Sequence, residues 1–499
     1  MEYTSIMKTK IFLPLAVILL LLSSCSGSLV EMNNNPNALT HLDNEYLFAN
    51  AIKTTFGNAQ NHRKLMLFFG AQYSHCYVVP HNTGRPHDQY RDQLYTDDYM
   101  EVVRRSFADP IRLINVVRLE TQEGPGKNEL RHAMANVVAI CNYTRITDLY
   151  GDIPYTEGGW GNTGQLLPRY DAQEFIYKSM MDTLKAAIEI IRNGDPEKAY
   201  PGFDPLYDNE LEYWARFANS FRLRLAMRAR FADPAYCEQV IRECLEEDLI
   251  ETNEQGARLF SLNDQYHYNA WSETYKVMPW KISKKLVDWL INSHDPRLTY
   301  WVAPNINGEY KGLENGLDEL VFSSVDWDEI SGPAEGLYSA TMPVDFLNAA
   351  EVWLNRAEAE LVLDGANAND YYQQAIRLAM EQWEIPEDSI DRFINEAPEA
   401  TLFGDKENML RQIGTQKWLA LLPNFTESYS EIRRLGYPVI PKRTASYLDK
   451  GVTDGVLPKR FLYPNEEISL NEKNVMEAIA RQGPNKITTP VWWDVRDID

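Results

Sequence analysis

The residues best suited to contacting a ligand are aromatic, and they cluster outside any helical period. Tyr73 and Tyr77 flank His75, Tyr266, Tyr268, Trp271, Tyr275 and Trp280 fall within fifteen residues, and Trp327 and Tyr338 share a later segment. Tyr and Trp rings present flat apolar faces with a polar handle. They suit the apolar faces of sugar rings, while neighbouring Asn, Gln and Asp fix hydroxyls. Tyr73, Tyr77, Tyr268, Trp271, Trp280 and Trp327 are therefore the candidate ligand-binding residues. Each has an ordinary alternative: a large aromatic also anchors a long loop onto the body beneath it.

Other constellations carry less. His75, His81 and His87 recur at every sixth position, which scatters them around a helix, and Pro80, Gly84 and Pro86 prevent a continuous strand. A metal site would need a loop to gather them, and loop histidines without a ligand are the commoner case. Gly159, Gly161 and Gly164 match a dinucleotide fingerprint, but the segment follows Gly151-Asp152-Ile153-Pro154 and runs into Leu167-Pro168, without the flanking strand and helix that the motif needs. Zinc-protease, nucleophile-elbow, P-loop and EF-hand spacings do not occur. Asp364, Asn367, Asn369 and Asp370 offer oxygens that suit calcium, and a helix-capping turn accounts for them equally well. No cofactor is assigned on this basis, and a structural calcium stays open. A glycan-cleaving site needs only two carboxylates at suitable separation; the chain has 72 Asp and Glu, and no pair stands out.

The elements that must position these residues are mainly helical. Residues 128–149 carry Leu130, Ala133, Met134, Val137, Val138, Cys141 and Ile146 at three-and-four spacing. Asp171 with Glu174 has the pattern of a capping box opening a helix that runs to Gly194. Further helices are predicted over 210–231, 234–247 and about 283–292. A helix pair over 345–383 turns at Asp364-Gly365-Ala366-Asn367; Ala350 to Trp383 spans 34 residues, the tetratricopeptide length. Helix pairs within 128–247 and 345–422 thus form a scaffold. The segments 71–95, 250–344 and 436–499 show little helical period and are rich in Gly, Pro, Asn, Tyr and Trp. The predicted fold is mainly α: a tetratricopeptide-like helical-hairpin scaffold carrying a long-loop, aromatic-rich ligand-binding face.

Length and charge narrow the setting. The chain has 499 residues, with 49 Lys and Arg against 72 acidic residues for a net charge of −23. Such a surface lacks the basic face that nucleic acid requires, and it does not adhere electrostatically to anionic lipid. Lys8 and Lys10 precede an apolar run from Ile11 to Leu22, too short to span a bilayer, which reads as a secretory signal over residues 1–24. Leu22-Ser23-Ser24-Cys25 has the form of a bacterial lipobox, in which Cys25 is lipidated and begins the mature chain; an ordinary signal with a chance cysteine is the alternative. Residues 25–40 read as a polar tether and 41–499 as the body. The remaining cysteines, Cys76, Cys141, Cys237 and Cys244, include no CxxC pair and read as small buried apolar residues.

Several motifs in order along the mature chain resemble one family. They are Tyr150-Gly151-Asp152-Ile153-Pro154-Tyr155-Thr156-Glu157, Arg169-Tyr170-Asp171, Trp214-Ala215-Arg216-Phe217-Ala218-Asn219-Ser220, Asn355-Arg356-Ala357-Glu358-Ala359-Glu360, Gln416-Lys417-Trp418-Leu419-Ala420-Leu421, Glu431-Ile432-Arg433-Arg434-Leu435-Gly436-Tyr437-Pro438 and Arg460-Phe461-Leu462-Tyr463-Pro464-Asn465-Glu466-Glu467. Together with Cys25 they resemble the SusD/RagB outer-membrane nutrient-binding lipoproteins, in the SusD-like branch. The resemblance implies an outer-membrane, lipid-anchored protein facing the cell exterior. It also implies that the protein pairs with a SusC-like TonB-dependent transporter as a lid, captures a nutrient, usually a glycan, and performs no catalysis. It assigns no individual ligand residue. A glycan-cleaving enzyme and a mainly structural lid subunit are the alternatives. The arginines of these motifs, Arg216, Arg356, Arg433 and Arg434, are expected to pair with carboxylates such as Glu358, Glu360 or Glu431 inside the scaffold.

Overall fold

The structure is a computed structural model that describes residues 43–57, 61–79, 87–90, 102–161, 164–264, 267–317, 319–443 and 453–496. The signal, the tether, Cys25 and His81 lie outside the described residues. Two units, Met1–Asn44 and Glu45–Asp499, divide the chain, and the second carries the fold.

Helix α1 (Asn44–Phe56) buries Leu47, Phe48, Ala51, Ile52, Thr55 and Phe56, one stripe of an amphipathic helix. A widened helical segment, Asn61–Gly70, follows it. Then α2 (Asp109–Gln122), α3 (Glu129–Tyr150), α4 (Gln173–Arg192), α5 (Leu211–Ala229) and α6 (Pro234–Leu245) pack serially, each on the next. Two short helices, α7 (Ala270–Val277) and α8 (Lys284–Asn292), lie in the loop-rich middle. A second group comprises α9 (Ala349–Val362), α10 (Ala368–Glu381), α11 (Glu387–Glu396), α12 (Lys406–Ala420) and α13 (Phe425–Leu435). Here α9 and α10 form the predicted hairpin, α12 packs on α9 and α13, and α5 meets α9 to join the groups. The fold is mainly helical, as the periodicity predicts.

Side-chain caps set several helix starts. Asn128 accepts from the Arg131 N–H at 3.1 Å, Asn348 from that of Glu351 at 2.8 Å and Asp405 from that of Asn408 at 2.8 Å. Gly436, at φ +78°, ends α13 in the left-handed conformation that glycine adopts most easily. Three boundaries differ from expectation. Asp171 does not cap α4; its carboxylate accepts from the backbone N–H groups of Tyr155 and Thr156, at 3.1 and 2.8 Å, and ties the 150s loop to the helix start. Residues 344–347 form a strand rather than the head of α9. Within 436–499, α14 (Asn465–Leu470) and α15 (Glu472–Gln482) are helical, α15 burying Val475 and Ala478.

Among the described residues, four short strands make two ribbons. β1 (Tyr77–Val78) pairs antiparallel with β3 (Lys281–Ile282), placing Tyr77 opposite Ile282. β2 (Ala257–Leu259) pairs antiparallel with β4 (Val344–Leu347), with a register irregularity between Ala257 and Arg258 and an Arg258–Asp345 ion pair at 2.6 Å.

The scaffold is tied internally by charge. Among the described residues, five carboxylates (Asp148, Glu351, Glu358, Glu427, Glu431) and five cations (Arg224, Arg228, Arg230, Lys417, Arg434) form one connected network between α3, α5, α9, α12 and α13. Arg434 grips Glu358 through two parallel bonds of 2.6 and 2.7 Å, and Lys417 reaches Glu358 at 2.9 Å and Glu431 at 3.0 Å. Burial pushes both carboxyls up, but Arg434 and Lys417, joined by Arg230 at Glu358 and by Arg228 at Glu431, outweigh it and hold both below the usual carboxylate range. Of the four motif arginines, Arg434 uses Glu358 and Glu431 as expected. The others find different partners: Arg216 takes Glu212 and the Leu249 carbonyl, Arg433 the carbonyls of Asp148 and Lys459, and Arg356 lies over the rings of Trp353 and Tyr371. Cys76, Cys141, Cys237 and Cys244 are free and buried.

Candidate functional site

Four of the six candidate aromatics lie inside the protein. Tyr73, Tyr77, Trp271 and Trp280 are each 1% exposed or less. Tyr77 stacks on Trp280 with ring centroids 5.4 Å apart and meets Phe425 of α13 edge-on at 4.7 Å; Trp271 meets Trp280 at 5.2 Å. Tyr73 packs edge-on against Tyr429 at 5.1 Å. These rings hold the loops onto the scaffold and offer no face to a ligand, so the expectation is corrected for these four. Trp327 is half-buried and packs on Phe322 at 5.0 Å, beside a small cluster of Val78, Leu313 and Ile330.

The histidines are likewise internal where they are described. His75 faces the Tyr90 hydroxyl at 3.4 Å, and burial, reinforced by Lys285 and Arg443, holds its imidazole down at about 3, so it is neutral at physiological pH. The His87 ring packs against Phe68 and Phe69. Among the described residues no group of three or more His, Cys, Asp or Glu is arranged to hold a metal ion. In the Asp364 turn, Asp364 pairs with Lys406 at 2.5 Å, and Asn369 accepts from the Leu402 N–H at 2.9 Å.

Tyr268 lies elsewhere, in the wall of a cavity of about 750 Å³ between α1 and the loop joining β2 to α7. That volume falls within the range of roughly 300–1,000 Å³ found for small-molecule sites. α1 supplies one face: Tyr46, Asn50 and Lys53 follow at i, i+4 and i+7, opposite the stripe that the helix buries. The loop supplies Phe260, Leu262 and Tyr268. Phe260 is 68% exposed and Tyr46 56%, so both rings are open to a ligand.

The wall is held firmly. The backbone N–H of His267 donates to Asp264 at 2.7 Å and that of Leu262 to the His267 carbonyl at 2.8 Å. On the other side of Tyr268, Asn269 accepts from the Trp271 N–H at 2.8 Å and donates to the Met342 carbonyl at 2.7 Å, while its own N–H reaches the Ala340 carbonyl. Tyr46 leans edge-on against Phe203 at 4.8 Å. The described lining residues include no Asp or Glu, and so no carboxylate pair of the kind that glycoside hydrolysis uses lies among them. The arrangement provides aromatic and aliphatic surface with the polar ends of Asn50, Lys53 and Ser261 at hand, which is the chemistry of binding.

Sequence reasoning missed Tyr46, Asn50, Lys53 and Phe260. The α1 stripe was legible as an aromatic and two polar residues on the helix's outer face; Phe260 carries no such signal, being one apolar residue in a long loop.

Comparison with known proteins identifies the family. A family model described as SusD-like, starch-binding associating with outer membrane, matches residues 36–464. The chain belongs to this family. It is a family of binding proteins, not of enzymes, and one associated with the outer membrane. Among solved structures, a chitin-binding protein shares 27% identity with this SusD-like chain at a TM-score of 0.78, covering 91% of this chain and 99% of that one. A SusD homologue from Bacteroides uniformis, 24% identical, and a chitin-binding SusD homologue from Flavobacterium johnsoniae, 21% identical, share its fold at the same TM-score and the same coverage. No curated protein matches the sequence. Among the described residues, no helix of this SusD-like chain is long and apolar enough to cross a membrane.

Proposed function

We propose that this chain binds an oligosaccharide at the cell surface, in the cavity between α1 and the β2–α7 loop, and delivers it to a partner SusC-like TonB-dependent transporter. Lipid on Cys25, exposed by removal of residues 1–24, tethers the body through residues 25–40 on the outer face of the outer membrane. The observation that carries the reading is the cavity: the open rings of Tyr46 and Phe260 and the half-buried ring of Tyr268 beside Asn50, Lys53 and Ser261, in a chain of the starch-binding family. Aliphatic side chains, including Leu259, Leu262 and Val344, make up much of the remaining wall. They would accept the methyl group of an N-acetylated sugar as readily as a bare pyranose face, and the likeness to chitin-binding proteins supports testing both.

Titration calorimetry with chito- and malto-oligosaccharides measures this. One series should bind, and Tyr268→Ala or Phe260→Ala should each weaken it by about tenfold, the loss of one stacked ring. Wild-type affinity in both variants would remove the site. Cys25→Ala should release the protein from the membrane fraction, and its retention there would remove the anchor.

A further inference from the structure

A second, smaller cavity lies on the other helical group and shares no lining residue with the first. It measures about 180 Å³ and is bounded by Trp289 of α8, Phe403 and Glu399 of the turn before α12, and Arg411, Thr415 and Gln416 of α12. We propose that it is a binding site for a single neutral pyranose ring.

Size sets the first limit. The volume is well below the roughly 300–1,000 Å³ of sites for drug-sized ligands, so one ring enters and an oligosaccharide does so only by its end. The walls set the chemistry. Trp289 is half-buried and Phe403 is 54% exposed, and both rings border the space. The turn that presents Phe403 is pinned from both sides. Tyr372 of α10 donates its hydroxyl to the Glu399 carbonyl at 2.6 Å, and Gln412 of α12 accepts from the Phe403 N–H at 3.0 Å and donates to the Thr401 carbonyl at 2.7 Å. An exposed aromatic on so well-tied a turn is poised before any ligand arrives.

The floor is polar and fixed. Gln416 is 2% exposed, and its amide is oriented by Arg297, which donates to its Oε1 at 3.0 Å and is itself forked onto Asp295 at 2.9 and 2.6 Å. The opposite end, Nε2, is buried on the side of the Tyr372 hydroxyl, with which the amide interacts. At the rim, Arg411 and Glu399 carry opposite charges, which favours a neutral polyol over an anion or a cation.

Saturation-transfer NMR on the full chain, with the methyl glycosides of glucose, galactose and N-acetylglucosamine as probes, tests this. At least one probe should receive saturation, and it should still do so in Tyr268→Ala/Phe260→Ala, which disables the larger cavity. Phe403→Ala removes an exposed ring and leaves the fold's core intact; its affinity should fall by about tenfold, with the melting temperature unchanged. Transfer to none of the three probes, wild-type affinity in Phe403→Ala, or loss of all transfer in Tyr268→Ala/Phe260→Ala would overturn the proposal.

Discussion

Replacing Glu358 by Gln keeps the side chain's shape and removes one negative charge from the centre of the ion network. Arg230, Lys417 and Arg434 all converge on this carboxylate, and once it is neutral Glu431 is the remaining partner of Lys417 and Arg434. Glu358, Lys417 and Arg434 are completely buried, so water does not screen the excess positive charge. Removing one partner of a buried ion pair costs about 3–5 kcal/mol. Unfolding entropy near 2.1 cal/mol/K per residue, over the body Glu45–Asp499, gives roughly 1 kcal/mol per degree at the midpoint. The melting temperature of Glu358→Gln should therefore fall by about 3–5 °C at neutral pH, measured by calorimetry. Glu358→Gln/Lys417→Met restores the balance of sign and should recover roughly 1–2 kcal/mol of the loss. A fall of less than about 1 °C, or a double variant less stable than the single one, would refute the assignment of the network as the scaffold's tie.

The same network predicts an acid limit. Glu358 and Glu431 are held below the unfolded carboxylate value of about 4.3, so the unfolded chain binds more protons as pH falls past that point. Stability present above it is lost on further acidification, and urea unfolding from about pH 5 to 2.5 should show a slope shallower in Glu358→Gln by up to about 1.4 kcal/mol per pH unit. An equal slope in both proteins would contradict the depressed values. Trp280→Ala should act on stability, at about 3–5 kcal/mol, because its ring is packed between Tyr77, Trp271 and Tyr275; chemical denaturation that finds it as stable as wild type would contradict the packing.

The scaffold was legible in the sequence because its signal is local. The three-and-four spacing of Leu130, Ala133, Met134, Val137 and Val138 marks α3, which the structure buries on every side from Val137 to Tyr150, and the 34-residue interval from Ala350 to Trp383 marks the α9–α10 hairpin. The pairing of Arg434 with Glu358 was legible by type, since a buried guanidinium in an apolar helix needs a carboxylate. What local pattern does not carry is the direction in which a loop aromatic turns. Tyr77 is buried by Trp280 and Phe425, which lie more than two hundred residues away in the chain, and nothing near Tyr77 announces them. Residues 345–347 read as helix for the same reason: β4 is a strand because β2 is there to pair with it. α15 is the opposite case, as its Val475, Ala478 and Ile479 repeat was present and the Gly- and Pro-rich surroundings masked it.

Burial of the loop aromatics also bears on affinity. Tyr268 stands three residues before Trp271, whose ring is locked under the loops, and Asn269 between them fixes the backbone at both ends of its side chain. Ordering a side chain on binding costs about 0.5–1.5 kcal/mol, and this clamp meets that cost in the free protein. Asn269→Ala removes the clamp without removing a ring. It should lower stability by about 1–3 kcal/mol through the unmet Met342 carbonyl and the lost cap of α7. It should also weaken oligosaccharide binding by about three- to tenfold, because Tyr268 must then be ordered at the moment of binding. Hydrogen exchange at residues 267–272 separates the two effects: protection should fall there more than in α3. A variant with lowered stability, lost protection and undiminished affinity would show that Tyr268 contributes nothing by being held in place.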